Sequence, residues 1–325
     1  MLEFISQLVL AALMTQLSPV DAAQFEWFAG EGSVEDTVFS QEEVLRYATG
    51  LPESGLRMSV EYPVKVDEES FGIVTSARSH LVQDAQSGMT LVAKHPYEVR
   101  AIGSVTKLMT AMVFLDQNPD LASNVALDPA LDLVTGGRVY LAFYDELVLE
   151  DVLAASLVGS DNTATYSLMR FSGLEESAFI EAMNVRAAEL GMDATTFMDP
   201  TGIDAGNVST ATDIVKLLRA SEAYDLIADY TTRPDVVVTQ DSGRTIDIGN
   251  TNTLLEGILM EGESDILVGK TGFLPQAGYV LAAAVEQDGE KVYVVVMGSE
   301  SKDARADEVK GLALWAFKTF NWPEL

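Results

Sequence analysis

No cysteine occurs anywhere in the chain, so disulfides, thiolate nucleophiles and cysteine-ligated metals are all excluded. Histidine is nearly as scarce, with only His80 and His95, and neither stands in an H-E-x-x-H zinc helix. A G-x-S-x-G elbow is also missing. Any serine nucleophile here must therefore be activated by a base other than histidine. Positive charge is the third shortage. Against 50 Asp and Glu there are 20 Lys and Arg, a net charge of −30 over 325 residues. Such a field repels phosphate backbones and anionic lipid surfaces, which argues against nucleic-acid partners and is explained by a solvated acidic surface. A long apolar run is missing as well. The stretch from Phe4 to Leu17 is shorter than the ~20 residues that span a bilayer.

That stretch, followed by Ser18-Pro19 and the small residues around Ala22 and Ala23, has the form of a secretory signal, with cleavage expected after Ala22. Residues 1–23 are thus expected to act as a signal peptide or N-terminal anchor, to place the protein on the exported side of the cell envelope, and to be its sole means of membrane association. From 24 to 63 the chain reads as an acidic linker, with eight acidic residues before Tyr62 against Arg46 and Arg57, scattered glycines, and one short helix expected around 41–47.

With 48% hydrophobic residues, the remainder can bury a substantial core. Short strand patterns are expected at 71–75, 80–84 and 89–94, the last two joined by a turn at Ser87-Gly88. Helical periodicity dominates from Ser104 to about Ala223, strongest at 105–115, 149–157, 179–190 and 211–218. Strands return at 265–271, 279–286 and 291–297, the last two joined by Asp288-Gly289, a pair suited to a tight hairpin. An amphipathic helix over about 303–320 closes the chain. Strands at both ends with helices between them specify an α+β fold: one antiparallel sheet assembled from both extremities, flanked by helices, with a helical lobe inserted.

The chemistry concentrates in three short segments. Ser104-Val105-Thr106-Lys107 opens an apolar helix, and residues three apart share a helix face, so the hydroxyl and the amine can meet. Burial and nearby positive charge, supplied by Lys270, would lower the Lys107 pKa from about 10.4 and let it act as a base. The spacing alone specifies little, since Ser299-Glu300-Ser301-Lys302 repeats it; that copy follows a strand and reads as a surface turn. The second segment, Ser160-Asp161-Asn162, adds a hydroxyl and an amide. The third, Lys270-Thr271-Gly272, ends a strand, where the glycine admits a substrate backbone and the lysine brings charge.

Order and context of the three segments match the Ser-x-x-Lys, Ser-Asp-Asn and Lys-Thr-Gly set of penicillin-binding proteins and β-lactamases. Over roughly Pro63 to Phe320 the chain resembles the low-molecular-mass D-alanyl-D-alanine carboxypeptidases, with further likeness at 106–110, Thr195-Thr196-Phe197, Ser209-Thr210-Ala211 and Ala277-Gly278-Tyr279. The resemblance implies a D,D-peptidase domain over 64–325 that removes the terminal D-alanine of peptidoglycan stem peptides through an acyl-enzyme and binds β-lactams, with no cofactor or metal. It also implies roles: Ser104 as nucleophile, Lys107 as base, Ser160 as proton relay, Asn162 as a substrate-holding amide, and Lys270 and Thr271 at the substrate carboxylate. Gly272 would let the substrate lie on the strand, Phe273 would give an oxyanion N–H beside that of Ser104, and Arg305 would reach the carboxylate. Asn207 and Val208 replace a histidine and an aromatic residue common in the family, and Leu274 replaces a threonine; these departures are expected to bear on substrate preference. No counterpart of the C-terminal β-rich domain and anchoring helix of some relatives is expected after Phe320.

Four other readings compete with this one. A peptidoglycan endopeptidase would use the same catalytic set. A β-lactamase of the class with a deacylating glutamate needs a Glu-x-x-Leu-Asn segment, which does not occur between Asn162 and Lys270. A catalytically silent wall-binding module would not need the full set. A phosphate-binding loop at Gly269-Lys270-Thr271 fails because Ser264 occupies the position of its first glycine.

Overall fold

The computed structural model describes residues 62–67, 69–256 and 264–323. The apolar run at 4–17, the cleavage region, the short helix expected at 41–47 and almost all of the acidic stretch lie outside the described residues.

In chain order, β1 (Val64–Lys65) is followed by the hairpin of β2 (Ser79–Asp84) and β3 (Thr90–Lys94) and by the short β4 (Arg100–Ala101). A 3-10 turn at Gly103–Val105 runs straight into α1 (Thr106–Asp116), whose residues from Thr106 to Phe114 are all buried. The strand pair β5 (Asn124–Val125) and β6 (Leu147–Val148) brackets a long loop before α2 (Leu149–Leu157), α3 (Asn162–Phe171) and α4 (Glu176–Glu189). Next come β7 (Val208–Ser209), α5 (Ala211–Ser221) and α6 (Asp225–Thr232), then a hairpin of β8 (Asp235–Thr239) and β9 (Thr245–Gly249). Three ten-residue strands, β10 (Asp265–Leu274), β11 (Gly278–Gln287) and β12 (Glu290–Ser299), lead into α7 (Lys302–Thr319) and β13 (Phe320–Asn321), which pairs back onto β1.

The main sheet is antiparallel with order β10-β11-β12-β2-β3, so the two ends of the chain meet at the β12–β2 pairing. Both of its faces are covered. Period-two alternation sends Val280, Ala282, Ala284, Val295 and Met297 into the core beneath the helical lobe, while Leu281, Ala283, Val285, Val294 and Val296 pack under α7. This explains the almost unbroken apolar runs of β11 and β12, which a sheet with one wet face would not carry. The Asp288-Gly289 turn has positive φ at both residues, 54° and 87°, the geometry of a two-residue hairpin turn. The α+β architecture expected from the sequence is the one observed.

Two local expectations need correction. Residues 71–75 form no strand; side-chain ties hold the segment instead, with Trp315 Nε1 donating to Ser70 Oγ at 2.6 Å and Thr75 Oγ1 bonded to His80 Nδ1 at 3.0 Å. The Ser299–Lys302 copy of the serine–lysine spacing is no surface turn. Ser299 is buried at the end of β12, its Oγ donating to Glu308, and Ser301 caps α7 by accepting from Ala304 N at 3.0 Å.

Candidate active site

Helix geometry brings Ser104 and Lys107 together. The 3-10 turn places Ser104 one turn ahead of Lys107, and Lys107 Nζ lies 3.1 Å from Ser104 Oγ. Lys107 is fully buried and also donates to Asn162 Oδ1 and to the carbonyl of Thr201, both at 2.6 Å. A neutral amine has two hydrogens and one lone pair. With two firm acceptors taking the hydrogens, the lone pair is left facing the Ser104 hydroxyl. Burial pushes the Lys107 pKa down to about 7, with the Asp199 and Asp161 carboxylates pulling back upward. Repulsion between the two buried amines is mutual, and burial first, then the charges of Lys107, Arg305 and Arg138, hold Lys270 well below the ordinary lysine range.

Ser104, Ser160, Asn162, Thr271, Gly272, Phe273 and Arg305 line one cavity of about 290 Å³. Lys107 and Lys270 do not line it; both are buried behind its wall, and the nearest hydrogen-bond acceptor of Lys270 Nζ is the carbonyl of Thr271 at 3.5 Å. A larger hollow along α4, about 550 Å³, contains none of these residues. Ser160 holds a left-handed backbone, φ 56°, which a non-glycine residue adopts at a cost of about 1–2 kcal/mol. It is locked there by Asp161, which caps α3 by accepting from Ala164 N at 2.9 Å and holds Tyr140 N at 2.6 Å.

The far wall is β10, the edge strand of the sheet, one face of which packs at Gly272 against residues 102–104. A Cβ on Gly272 would sit 2.3 Å from Ile102 O and 3.3 Å from Ser104 N, which is why the position takes glycine. A Cβ on Gly103 would lie 2.9 Å from Phe273 N, so the backbone N–H groups of Ser104 and Phe273 belong to one small region. Thr271 Oγ1 is bonded to Thr251 Oγ1 at 2.6 Å. Arg305, 5% exposed, donates to the carbonyls of Gly272 at 3.0 Å and of Val280 and Thr251 at 3.4 Å, bridging the wall from behind. Burial lowers its pKa to about 10, leaving it cationic at neutral pH.

The D-alanyl-D-alanine carboxypeptidase family profile, Peptidase S11, matches residues 65–301. The chain belongs to that family. It is a serine-type D-Ala-D-Ala peptidase, as the three sequence segments implied. A D-alanyl-D-alanine endopeptidase of Escherichia coli is 35% identical over 240 residues, covering 73% of this chain and 76% of the relative. The D-alanyl-D-alanine carboxypeptidase DacB2 of Mycobacterium tuberculosis is 28% identical over 254 residues, covering 74% and 82%. Among solved structures, penicillin-binding protein D2 of Listeria monocytogenes, in a cefotaxime-bound form, superposes with a TM-score of 0.65 at 28% identity, covering 76% of this chain and 99% of that one.

The family assignment leaves unexplained some residues that motif reading overlooked in this D,D-peptidase. The segment Asp199-Pro200-Thr201-Gly202 supplies one of the two firm acceptors of Lys107. Asp199 Oδ1 folds the segment by accepting from Thr201 N, Thr201 Oγ1 and Gly202 N at 2.6, 2.6 and 2.9 Å. Its Asp-Pro-x-Gly composition announces a turn, but nothing local announces that a carbonyl 94 residues from Lys107 will meet it. Asn207 holds that segment in place. It is fully buried and off the cavity; its Oδ1 accepts from Met198 N and Asp199 N, and its Nδ2 donates to Thr106 Oγ1 and Asp199 O. Asn207 thus ties the Asp199 turn to α1.

Proposed function

We propose that Ser104 attacks the carbonyl of the penultimate D-alanine of a peptidoglycan stem peptide while Lys107 accepts the hydroxyl proton. The carrying observation is the Lys107 amine, buried, with its hydrogens directed to Asn162 and Thr201 and Ser104 Oγ at 3.1 Å. In this reading the backbone N–H groups of Ser104 and Phe273 stabilise the oxyanion. Ser160, on the cavity wall, relays the proton to the leaving amine, and water then releases the acyl group. Asn162 holds Lys107 with its oxygen and has its Nδ2 left for the substrate. The substrate chain lies along the free edge of β10 at Gly272 as an added strand, and Thr271 and Arg305 take its terminal carboxylate, with Lys270 buried behind them. A β-lactam enters as a mimic of the terminal dipeptide, as the cefotaxime-bound relative supports. Peptidoglycan places the reaction on the exported face of the envelope, with residues 1–23 carrying export and any membrane attachment; among the described residues no helix is long and apolar enough to cross a membrane.

Carboxypeptidase action on a free D-Ala-D-Ala end is the reading adopted. The endopeptidase reading is kept because the relative at 35% identity bears that name while the one at 28% is called a carboxypeptidase. Digestion of two defined muropeptides separates them. Release of D-alanine from an uncross-linked pentapeptide is the expected result; cleavage confined to a cross-linked dimer would replace it with the endopeptidase reading.

A further inference from the structure

The loop from Val134 to Tyr140 is clamped onto the first turn of α3. Val134 N donates to Thr163 Oγ1 at 3.2 Å, and Tyr140 N donates to Asp161 Oδ2 at 2.6 Å. Between these clamps the backbone is pressed onto Asn162 so closely that a Cβ at Gly137 would lie 1.9 Å from Asn162 Nδ2. The next residue, Arg138, therefore stands on the wall of the Ser104 cavity. It is exposed and donates to Tyr140 Oη at 3.1 Å, and among the described residues it has no carboxylate partner. Lys302, the first residue of α7, lines the same cavity, is likewise exposed, and is likewise without an ion pair among the described residues. Among the described residues no Asp or Glu lines the cavity, although acidic residues outnumber basic ones 50 to 20 in the chain. Arg138 lines the cavity together with Thr271 and Arg305, the two residues assigned to the substrate carboxylate. One carboxylate engages the buried Arg305. Two exposed cations at the mouth then face solvent with nothing to neutralise.

We propose that Arg138, with Lys302, forms an outer anion subsite that favours leaving residues bearing a second carboxylate. The ligand class is a D-configured dicarboxylic residue, either at a free chain end or as the amine-side residue of a peptide cross-link whose acid groups remain free. This rests on the D,D-peptidase reading of the cavity and adds to it a selectivity for the leaving side. A planar guanidinium standing clear of other carboxylates is suited to paired hydrogen bonds with such a group.

The test uses two synthetic N-acyl peptides, one ending in D-Ala-D-Ala and one in D-Ala-D-Glu, and reads the ratio of their kcat/KM values. In Arg138→Gln the D-Glu to D-Ala ratio should fall by about 10-fold. Arg138→Lys should restore most of it, and in the wild type added salt should erode the ratio, because the subsite is open to solvent. A ratio unmoved by Arg138→Gln, or equal losses on both peptides, would overturn the subsite. Acylation of Ser104 by penicillin in the same preparations keeps the two levels apart. Acylated enzyme with an unmoved ratio refutes the subsite alone, whereas a wild type that is not acylated removes the D,D-peptidase reading and the subsite with it.

Discussion

Lys107→Ala should lower kcat/KM on a D-Ala-D-Ala peptide by about 10²- to 10⁴-fold, the range for loss of a positioned general base. The wild-type pH profile carries the same information. Burial places the Lys107 pKa at about 7, and the neutral amine is the active form. Activity should therefore rise as pH increases through about 7 and level off above, and this step should be missing from the residual activity of the variant. A fall of less than 10-fold, or a step that survives the substitution, would assign the base elsewhere. Stability gives an independent reading. The folded pKa lies below the ordinary 10.5, so between these values the unfolded chain holds a proton that the folded protein does not, and stability should rise with pH across that window. Lys107→Met, which fills the space without the charge, should reduce that rise and leave the part due to Lys270.

The second large effect concerns a residue with no functional group. Gly202 has φ +83°, and a Cβ there would lie 2.1 Å from Gly103 O and 3.0 Å from Ser104 N. The neighbour is backbone and cannot swing aside, so Gly202→Ala must displace the turn that carries the nucleophile. A misplacement of about 1 Å can reduce rate by about 100-fold, and Gly202→Ala should slow penicillin acylation by at least about that factor. Gly243 is the matched control. Its φ is +85°, in the β8–β9 turn, and nothing lies within 4 Å of a Cβ there. Gly243→Ala should cost about 1–2 kcal/mol of backbone strain and leave acylation at the wild-type rate. Comparable acylation losses in both variants would show that backbone strain, and not contact with the nucleophile turn, controls the site.

What could be read from the sequence was what is encoded locally. The Ser104–Lys107 contact lies within one helical turn, the Asp288-Gly289 hairpin within two residues, and the apolar runs of β11 and β12 within each strand. Elements with weaker local signals were lost. The β8–β9 hairpin is only five residues a side and lies beyond a helical stretch, although Val236-Val237-Val238 and the Ser242-Gly243 turn were there to be found. Residues 71–75 have strand-like composition but no ladder partner, so side-chain ties to the rest of the domain decide their path. Within the site, the motif residues on the cavity wall were legible, whereas Arg138, Thr251 and Lys302 belonged to none of the three motifs and the depth of the lysines had no local signal. Whether Lys270 reaches the cavity or lies behind it depends on how β10 packs against residues 102–104 and on Arg305 from α7, which is long-range information. The two acceptors of Lys107 divide in the same way: Asn162 was marked by its motif, whereas the Thr201 carbonyl carries no side-chain signature.

The central claim is that Ser104 is a nucleophile activated by Lys107 within a penicillin-reactive D,D-peptidase site. Its most direct test is intact-protein and peptide mass spectrometry after incubation with benzylpenicillin. A stable penicilloyl adduct on the peptide containing Ser104, lost in Ser104→Ala, is the predicted result; an adduct at another residue, or none in the wild type, would contradict it.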